Sequence, residues 1–172
     1  LNFALQAALN PPKPGKQERR FGELIFREGD RVMQTRNDYD VVWQKEDGTA
    51  GTGIFNGDVG KIAKIDPSGE LLEIVFDDRT ATYTSDMLAE LDMAYAMTVH
   101  KAQGSEYRGV VFVGAPCAPS LMVRGVLYTA ITRARELLVI VGDDSAVNKM
   151  AENDRRSRRY SCLLYTSDAA DD

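Results

Sequence analysis

The chain opens with leucines at every fourth position. Leu1, Leu5 and Leu9 follow this spacing, and alanines lie beside them. Because side chains four apart share one face of a helix, the pattern predicts an amphipathic helix, and we expect the sequence to begin inside a domain. The run Asn-Pro-Pro-Lys-Pro-Gly at residues 10–15 ends this helix, since proline lacks a backbone donor and glycine allows a turn.

Short apolar runs separated by turn residues continue as far as residue 92. They predict strands at five places: residues 23–26, 31–36, 58–65, 71–76 and 79–84. Asn56-Gly57 predicts a type I′ hairpin, because both central positions of that turn need a positive φ. Further turns are predicted at residues 66–69 and 77–78. Turns spaced about ten residues apart indicate a small antiparallel barrel over residues 41–92.

Beyond residue 93, apolar strands alternate with helices. The nearly continuous apolar run at residues 94–99 predicts a buried parallel strand. Further elements are predicted as strands at 110–113 and 137–141, a helix at 122–132, and a short helix capped by Ser145. This alternation indicates an α/β fold with a doubly wound parallel sheet, whose functional loops lie at the strand ends.

Composition, charge and cysteine content exclude several classes of protein. The 172 residues are 44% hydrophobic and 27% charged, as is ordinary for a soluble protein. No apolar run approaches the roughly 20 residues that span a bilayer, and the start lacks a secretory pattern, so we expect a cytoplasmic protein without membrane contacts. Cys117, Cys162 and the single histidine, His100, lack metal-ligand spacing, so no metal site is predicted. A formal net charge of -5 argues against wrapping nucleic acid by bulk electrostatics.

Residues 161–172 differ from the rest of the chain. They do not continue the preceding helix-like pattern and are similar to translated sequencing-adaptor read-through, so we expect a non-native tail. Without its three aspartates the formal net charge changes from -5 to -2. Just before the tail is a basic run, which is either a solvated helix face or a phosphate contact: Arg155, Arg156, Arg158 and Arg159.

Three segments together carry a family resemblance. AYAMTVHKAQGSEYRGVVFVG, which contains residues 95–113, and LYTAITRAR at residues 127–135 resemble motifs V and VI of superfamily 1 DNA helicases, in the RecD-like branch. GDRVMQTRNDYD at residues 29–40 resembles the family's motif IV region. The resemblance covers residues 1–160. It implies part of a RecA-like second motor domain at 1–40 and 93–160, interrupted at 41–92 by an inserted SH3-like antiparallel barrel, one of whose loops could also touch DNA.

The motif V match implies both DNA and nucleotide contacts. Four side chains would reach the backbone of a single strand without needing a large net charge: Thr98, His100, Lys101 and Gln103. For His100 the alternative is a polar side chain satisfied by nearby backbone. Gly104 would allow the loop a positive φ beside the nucleotide. Glu106 resembles the carboxylate that faces the nucleotide sugar, and the alternative is a simple surface charge.

The motif VI match implies that Arg133 is an arginine finger. Its planar guanidinium could hold two γ-phosphate oxygens as the terminal bond breaks. The alternative is a favourable interaction with the C-terminal end of a helix dipole. Arg135 is read as a surface or structural arginine. In the motif IV region Arg36 is the candidate for a second γ-phosphate contact, with Arg31 as the competing choice and a salt-bridged strand arginine as the other alternative.

No phosphate-binding loop of the Gly-x-x-x-x-Gly-Lys-Ser/Thr type occurs in the sequence, since Gly60-Lys61 and Gly15-Lys16 lack its other residues. The resemblance implies an ATP-dependent helicase that moves 5′ to 3′ on single-stranded DNA, using ATP and Mg²⁺. The expected partners are single-stranded DNA, the N-terminal motor domain of the same protein, and other recombination or repair proteins. We expect the chain alone to be inactive and to bind no cofactor. The alternatives are the helicase portion of a conjugative relaxase and a nucleic-acid-binding module without ATP turnover.

Overall fold

A computed structural model describes residues 1–154, in two compact units. The N-terminal unit comprises residues 1–101, and the C-terminal unit begins at residue 102. The expected tail at 161–172 and the basic run at 155–159 lie outside the described residues. Within residues 1–154, no helix is both long and apolar enough to cross a membrane.

The N-terminal unit contains one α-helix and nine strands. In chain order these are α1 (Asn2–Leu9), β1 (Glu18–Phe21), β2 (Leu24–Arg27), β3 (Arg31–Gln34), β4 (Asp38–Gln44), β5 (Ala50–Ile54), β6 (Val59–Ile65), β7 (Leu71–Phe76), β8 (Arg79–Thr84) and, after a 3₁₀ turn at Met87–Glu90, β9 (Leu91–Met93). Strands β1 and β2 form a hairpin. The others form one antiparallel sheet in the order β5-β4-β8-β7-β6-β3-β9. This sheet takes strands from both sides of residue 41, and the domain limits at 40/41 and 92/93 remain predictions.

The core of this unit follows the alternation of the sequence. In β8, Ala81 and Tyr83 are buried, whereas the threonines at 80, 82 and 84 are exposed. In β7, Leu72, Ile74 and Phe76 are buried in the same way. Because successive side chains of a strand point to opposite faces, each strand contributes one apolar row to the core. The predicted strands at 58–65, 71–76 and 79–84 are therefore confirmed.

The predicted turns at residues 66–69 and 77–78 are confirmed. The chain also turns at Asn56-Gly57, where Asp58 N–H donates to Phe55 O at 2.9 Å, but the predicted type I′ hairpin is wrong. Asp77 has φ 51° and is the only non-glycine residue with positive φ among residues 1–154, so Asn56 does not have the type I′ conformation. The adjoining strands β5 and β6 are not paired with each other. Backbone bonds that Asn56 N and Gly57 N donate to Asn37 Oδ1 and Gln34 O tie the turn to the chain between β3 and β4 instead.

The predicted buried strand at residues 94–99 is also wrong. Strand β9 ends at Met93, and the chain then leaves the sheet. The backbone N–H of Ala94 donates to Arg31 O (2.8 Å), and that of Ala96 donates to Asn2 Oδ1 (2.7 Å). The apolar run is thus held against β3 and helix α1 by single bonds rather than by a parallel ladder.

Helix α1 forms where predicted, and its buried side is polar. Leu1 and Leu9 are 72% and 70% exposed, whereas Gln6 is buried. The amide of Gln6 donates to a carboxylate oxygen of Asp30 at 2.6 Å. Asp30 is fully buried, so a bonded amide, not a leucine, has to face it.

The C-terminal unit is a parallel βαβ arrangement followed by a helix. Its elements are β10 (Tyr107–Gly114), α2 (Arg124–Ile131), β11 (Ala134–Gly142) and α3 (Asp144–Glu152). Strands β10 and β11 pair in parallel, from Tyr107 opposite Ala134 to Gly114 opposite Gly142. The predicted strands and the predicted helix at 122–132 are confirmed. Ser145 is not the cap of α3, because the carboxylate of Asp143 accepts the backbone N–H of Ser145 at 2.8 Å.

Candidate functional site

Arg133 lies at the C-terminal end of α2, where its half-buried side chain folds back over the last turn. Its Nε donates to Thr129 O (3.1 Å), Nη1 donates to Ser105 O (2.9 Å) and Nη2 donates to the Thr132 hydroxyl (3.2 Å). All three acceptors are neutral. Within residues 1–154 Arg133 forms no ion pair, so its positive charge is oriented but not neutralised.

The backbone of Arg133 holds the same loop. Its carbonyl accepts the N–H of Tyr107 at 2.8 Å, at the start of β10. Together with the bond from Arg133 to Ser105, this places the end of the motif V match directly beside the motif VI match. The sequence predicted both motifs, and the parallel pairing of β10 with β11 joins them in space.

Glu106 and Arg135 form an ion pair within this loop. Arg135 Nε lies 2.7 Å from a carboxylate oxygen of Glu106. The hydrogen bond and charge of Arg135, and more weakly the charge of Arg133, lower the pKa of the Glu106 carboxyl. Arg135, which the sequence identified only as a surface or structural arginine, therefore pairs with the carboxylate that the motif V match predicts to face the nucleotide. The only sequence signal for it was its place two residues after Arg133.

The turn before Glu106 depends on glycine. Gly104 has φ +86°, which confirms the predicted positive φ, and no heavy atom lies within 4 Å of where a Cβ would stand. The requirement is therefore conformational and does not arise from crowding. Ala102 is buried and its carbonyl accepts the N–H of Ser105 at 3.2 Å, while the side chain of Gln103 is exposed.

The preceding residues of the motif V match belong to the N-terminal unit. Thr98, His100 and Lys101 are all exposed. The Thr98 hydroxyl accepts the backbone N–H of Lys101 at 3.3 Å, and the ammonium of Lys101 lies 3.1 Å from a carboxylate oxygen of Asp92. Part of the Lys101 charge is thus balanced by an exposed acid, while Thr98 and His100 present polar atoms to solvent.

The two candidate arginines of the motif IV region occupy different positions. Arg36 is exposed in the bend between β3 and β4, because β3 ends at Gln34, two residues before the predicted end of the strand. Arg31 lies on β3 and is also exposed. In the described part of the chain neither forms an ion pair, so the alternative of a salt-bridged strand arginine is not found.

Comparisons with known proteins identify both parts of the chain. Residues 1–76 match the family described as the ATP-dependent RecD-like DNA helicase SH3 domain, and residues 93–141 match the UvrD-like helicase C-terminal domain. The SH3 match begins well before the expected barrel limit at residue 41.

Curated relatives agree with these matches. The ATP-dependent RecD2 DNA helicase of Deinococcus radiodurans is 36% identical over 163 residues, which cover 95% of this chain and 21% of the relative. The RecBCD enzyme subunit RecD of Mycolicibacterium smegmatis is 30% identical over 124 residues, covering 72% of this chain and 20% of the relative. The chain thus spans about a fifth of the length of these relatives.

A solved structure shares the fold. The crystal structure of Pif1 helicase from Bacteroides in complex with ADP-AlF3 and ssDNA aligns with 95% of this chain and 41% of that chain, with a TM-score of 0.52 and 18% sequence identity. This similarity supports an α/β fold that combines a RecA-like parallel part with an SH3-like antiparallel part. The chain belongs to the RecD-like superfamily 1 DNA helicases, as a C-terminal motor region that carries the family's SH3 domain.

Proposed function

We propose that this chain forms the second-domain half of the ATP site, and part of the DNA track, of an ATP-dependent helicase. The observation that carries the proposal is the state of Arg133, whose guanidinium is aimed by three neutral acceptors and has no carboxylate partner in residues 1–154. Arginine has five N–H donors, so one donor remains on each terminal nitrogen. Two such donors can hold two phosphate oxygens at once.

A finger of this kind acts when charge develops on the transferred phosphoryl group. The bonds to Ser105 and Thr129 hold the guanidinium in place before the nucleotide arrives, which reduces the cost of ordering it. Gly104 and Glu106, on the adjoining loop, would contact the nucleotide. Arg36 is proposed as a second γ-phosphate contact, since it is exposed and lacks an acidic partner among the described residues.

We propose that single-stranded DNA contacts the motif V residues. Thr98, His100 and Gln103 are exposed and can donate to phosphate oxygens, and Lys101 can exchange Asp92 for a phosphate. An exposed pair such as Lys101 with Asp92 contributes little, so the exchange costs little. Contacts of this type position a strand without reading its sequence.

The other half of the ATP site would come from another domain of the same protein. We expect that protein to be cytoplasmic. The phosphate-binding loop and the Mg²⁺ carboxylate would lie on an N-terminal motor domain, and movement would run 5′ to 3′. We expect the isolated chain to release no phosphate from ATP in the presence of single-stranded DNA. Turnover above a no-protein control would contradict the proposed division of the site.

The test uses the full-length protein that contains this segment. Arg133→Ala should reduce DNA-stimulated ATP turnover by roughly 10³ or more while nucleotide binding stays within a few fold. Arg133→Lys should not restore turnover, because one ammonium cannot reproduce a two-pronged contact. The matched control is Arg108→Ala, which removes an exposed guanidinium of the same unit that pairs with Glu136. If Arg133→Ala turns over ATP as fast as the Arg108→Ala control, Arg133 is a structural residue.

A further inference from the structure

An open pocket of about 520 Å³ lies in the N-terminal unit, and among its lining residues Tyr95 belongs to the motif V match. Its volume is within the range of small-molecule sites. Its lining comes from β3, β6, the end of α1, the segment after β9 and the loops before β1 and β3: Leu9, Asn10, Lys16, Gly29, Arg31, Lys61 and Tyr95.

Three of the lining residues are cations. Arg31 and Lys61 are directly opposite each other in the antiparallel register of β3 and β6, and both are exposed. Lys16 donates to Asn10 Oδ1. Within residues 1–154 none of the three forms an ion pair with a carboxylate. Like charges directly opposite on two strands are destabilising, so this arrangement has a cost that a bound anion would offset.

The same strand offers an internal comparison. Three residues along β6, Lys64 is opposite Glu73 of β7, a pair of opposite charges. Lys64 is therefore opposite a residue of opposite charge, whereas Lys61, which lines the pocket, is opposite a residue of the same charge.

No acid is among the lining residues, and Asp30 accepts hydrogen bonds from two of them, Asn10 and Tyr95. Asp30 is fully buried and accepts four hydrogen bonds, from Gln6, Asn10, Tyr95 and the backbone N–H of Arg27, at 2.6 to 2.8 Å. These bonds hold Asn10 and Tyr95 in place as the pocket wall. The lining residues include three cations and no carboxylate, so the lining carries a positive charge.

We propose that this pocket binds phosphate groups of a single-stranded nucleic-acid backbone, with Arg31 and Lys61 as the paired contacts and Lys16 as the third. Phosphodiester oxygens suit two adjacent cations at an open, solvent-facing site better than a carboxylate side chain would, because successive phosphates can occupy a cluster of cations. The assignment is independent of the ATP-site proposal, since it gives Arg31 a role in this pocket and leaves Arg36 for the nucleotide.

The test measures binding of the purified chain to fluorescent oligothymidine at several salt concentrations. Arg31→Gln and Lys61→Gln should each weaken binding, and each should reduce the slope of log affinity against log salt by about 0.7. Lys64→Gln is the matched control, because it removes the same charge from the same strand outside the pocket. Equal losses in Lys61→Gln and Lys64→Gln would overturn the proposal, since bulk charge would then explain both.

The melting temperature provides a second measurement. It shows whether a variant loses binding or loses stability, and whether the ligand is DNA or a free phosphate compound. Without any anion, removing one of two facing cations should leave the melting temperature unchanged or raise it slightly. Oligothymidine should raise the melting temperature of the native chain and of Lys64→Gln, and raise it less in the Arg31→Gln Lys61→Gln double variant. If tripolyphosphate raises it in a pocket-dependent way and oligothymidine does not, the pocket binds a free polyphosphate and the nucleic-acid assignment is wrong.

Discussion

Arg135 Nε lies 2.7 Å from a carboxylate oxygen of Glu106, across the start of the parallel pair of β10 and β11. The pair joins two residues that are 29 positions apart in the sequence. Arg133, two residues before Arg135, forms no ion pair within residues 1–154 and donates to three neutral acceptors. The two arginines of the Thr-Arg-Ala-Arg sequence thus have different surroundings.

This pair predicts a pH effect. Because Arg135 lowers the pKa of Glu106 in the folded chain, the pair stabilises the fold above the ordinary glutamate pKa, and the contribution is lost as the pH falls through the lowered value. A ¹³C NMR titration of the Glu106 carboxyl should show a midpoint below that of an ordinary glutamate. In Arg135→Gln the midpoint should rise, while in the control Arg108→Gln it should not. If the titration midpoint of Glu106 is the same in Arg135→Gln as in the native chain, the pair does not form in solution.

A second prediction concerns two glycines of the C-terminal unit. Gly104→Ala should destabilise the unit by about 1–2 kcal/mol, because an alanine is strained at φ +86° although there is space for its methyl group. Gly125→Ala is the control, since Gly125 lies inside α2 with open space around it and should gain up to about 1 kcal/mol of helix stability. Urea unfolding of the two variants should therefore give changes of opposite sign.

Asp30 should be among the most sensitive positions of the N-terminal unit. In Asp30→Ala, four donors lose a buried acceptor, and each unsatisfied donor costs about 1–3 kcal/mol, so we expect a loss of at least ~3 kcal/mol. Asp40→Ala, an exposed aspartate on β4, should change stability by less than about 0.5 kcal/mol. Similar unfolding midpoints for the two variants would mean that water replaces the carboxylate at little cost.

The motif V side chains predict a weak, salt-sensitive affinity for single strands. His100→Ala Gln103→Ala should reduce binding of the chain to oligothymidine, and nearly equally for mixed sequences, because phosphate contacts carry no base preference. Gln44→Ala, an exposed amide on β4, is the control for loss of an exposed glutamine. If the double variant binds as tightly as the control, the DNA contact lies elsewhere, and the pocket at Arg31 and Lys61 becomes the first place to test.

Local patterns accounted for much of the fold. The alternation in β7 and β8, the apolar strands β10 and β11 and the helix between them were all predicted, because side-chain period and turn residues act within a few positions. The same local signals predicted the positive φ of Gly104. The apolar run at 94–99 was misread, since a short apolar run does not specify whether a strand partner exists beside it.

The sequence by itself determined the family, the motifs and the residue types that can hold phosphate, because these depend on strings of neighbouring residues. Only the tertiary structure decided which groups meet. Gln6 is buried because Asp30, 24 residues later, needs a donor. Arg135 faces Glu106, and Arg31 faces Lys61, because strand pairing brings together positions about 30 residues apart. Register and burial arise from contacts between distant residues, and no local pattern contains them.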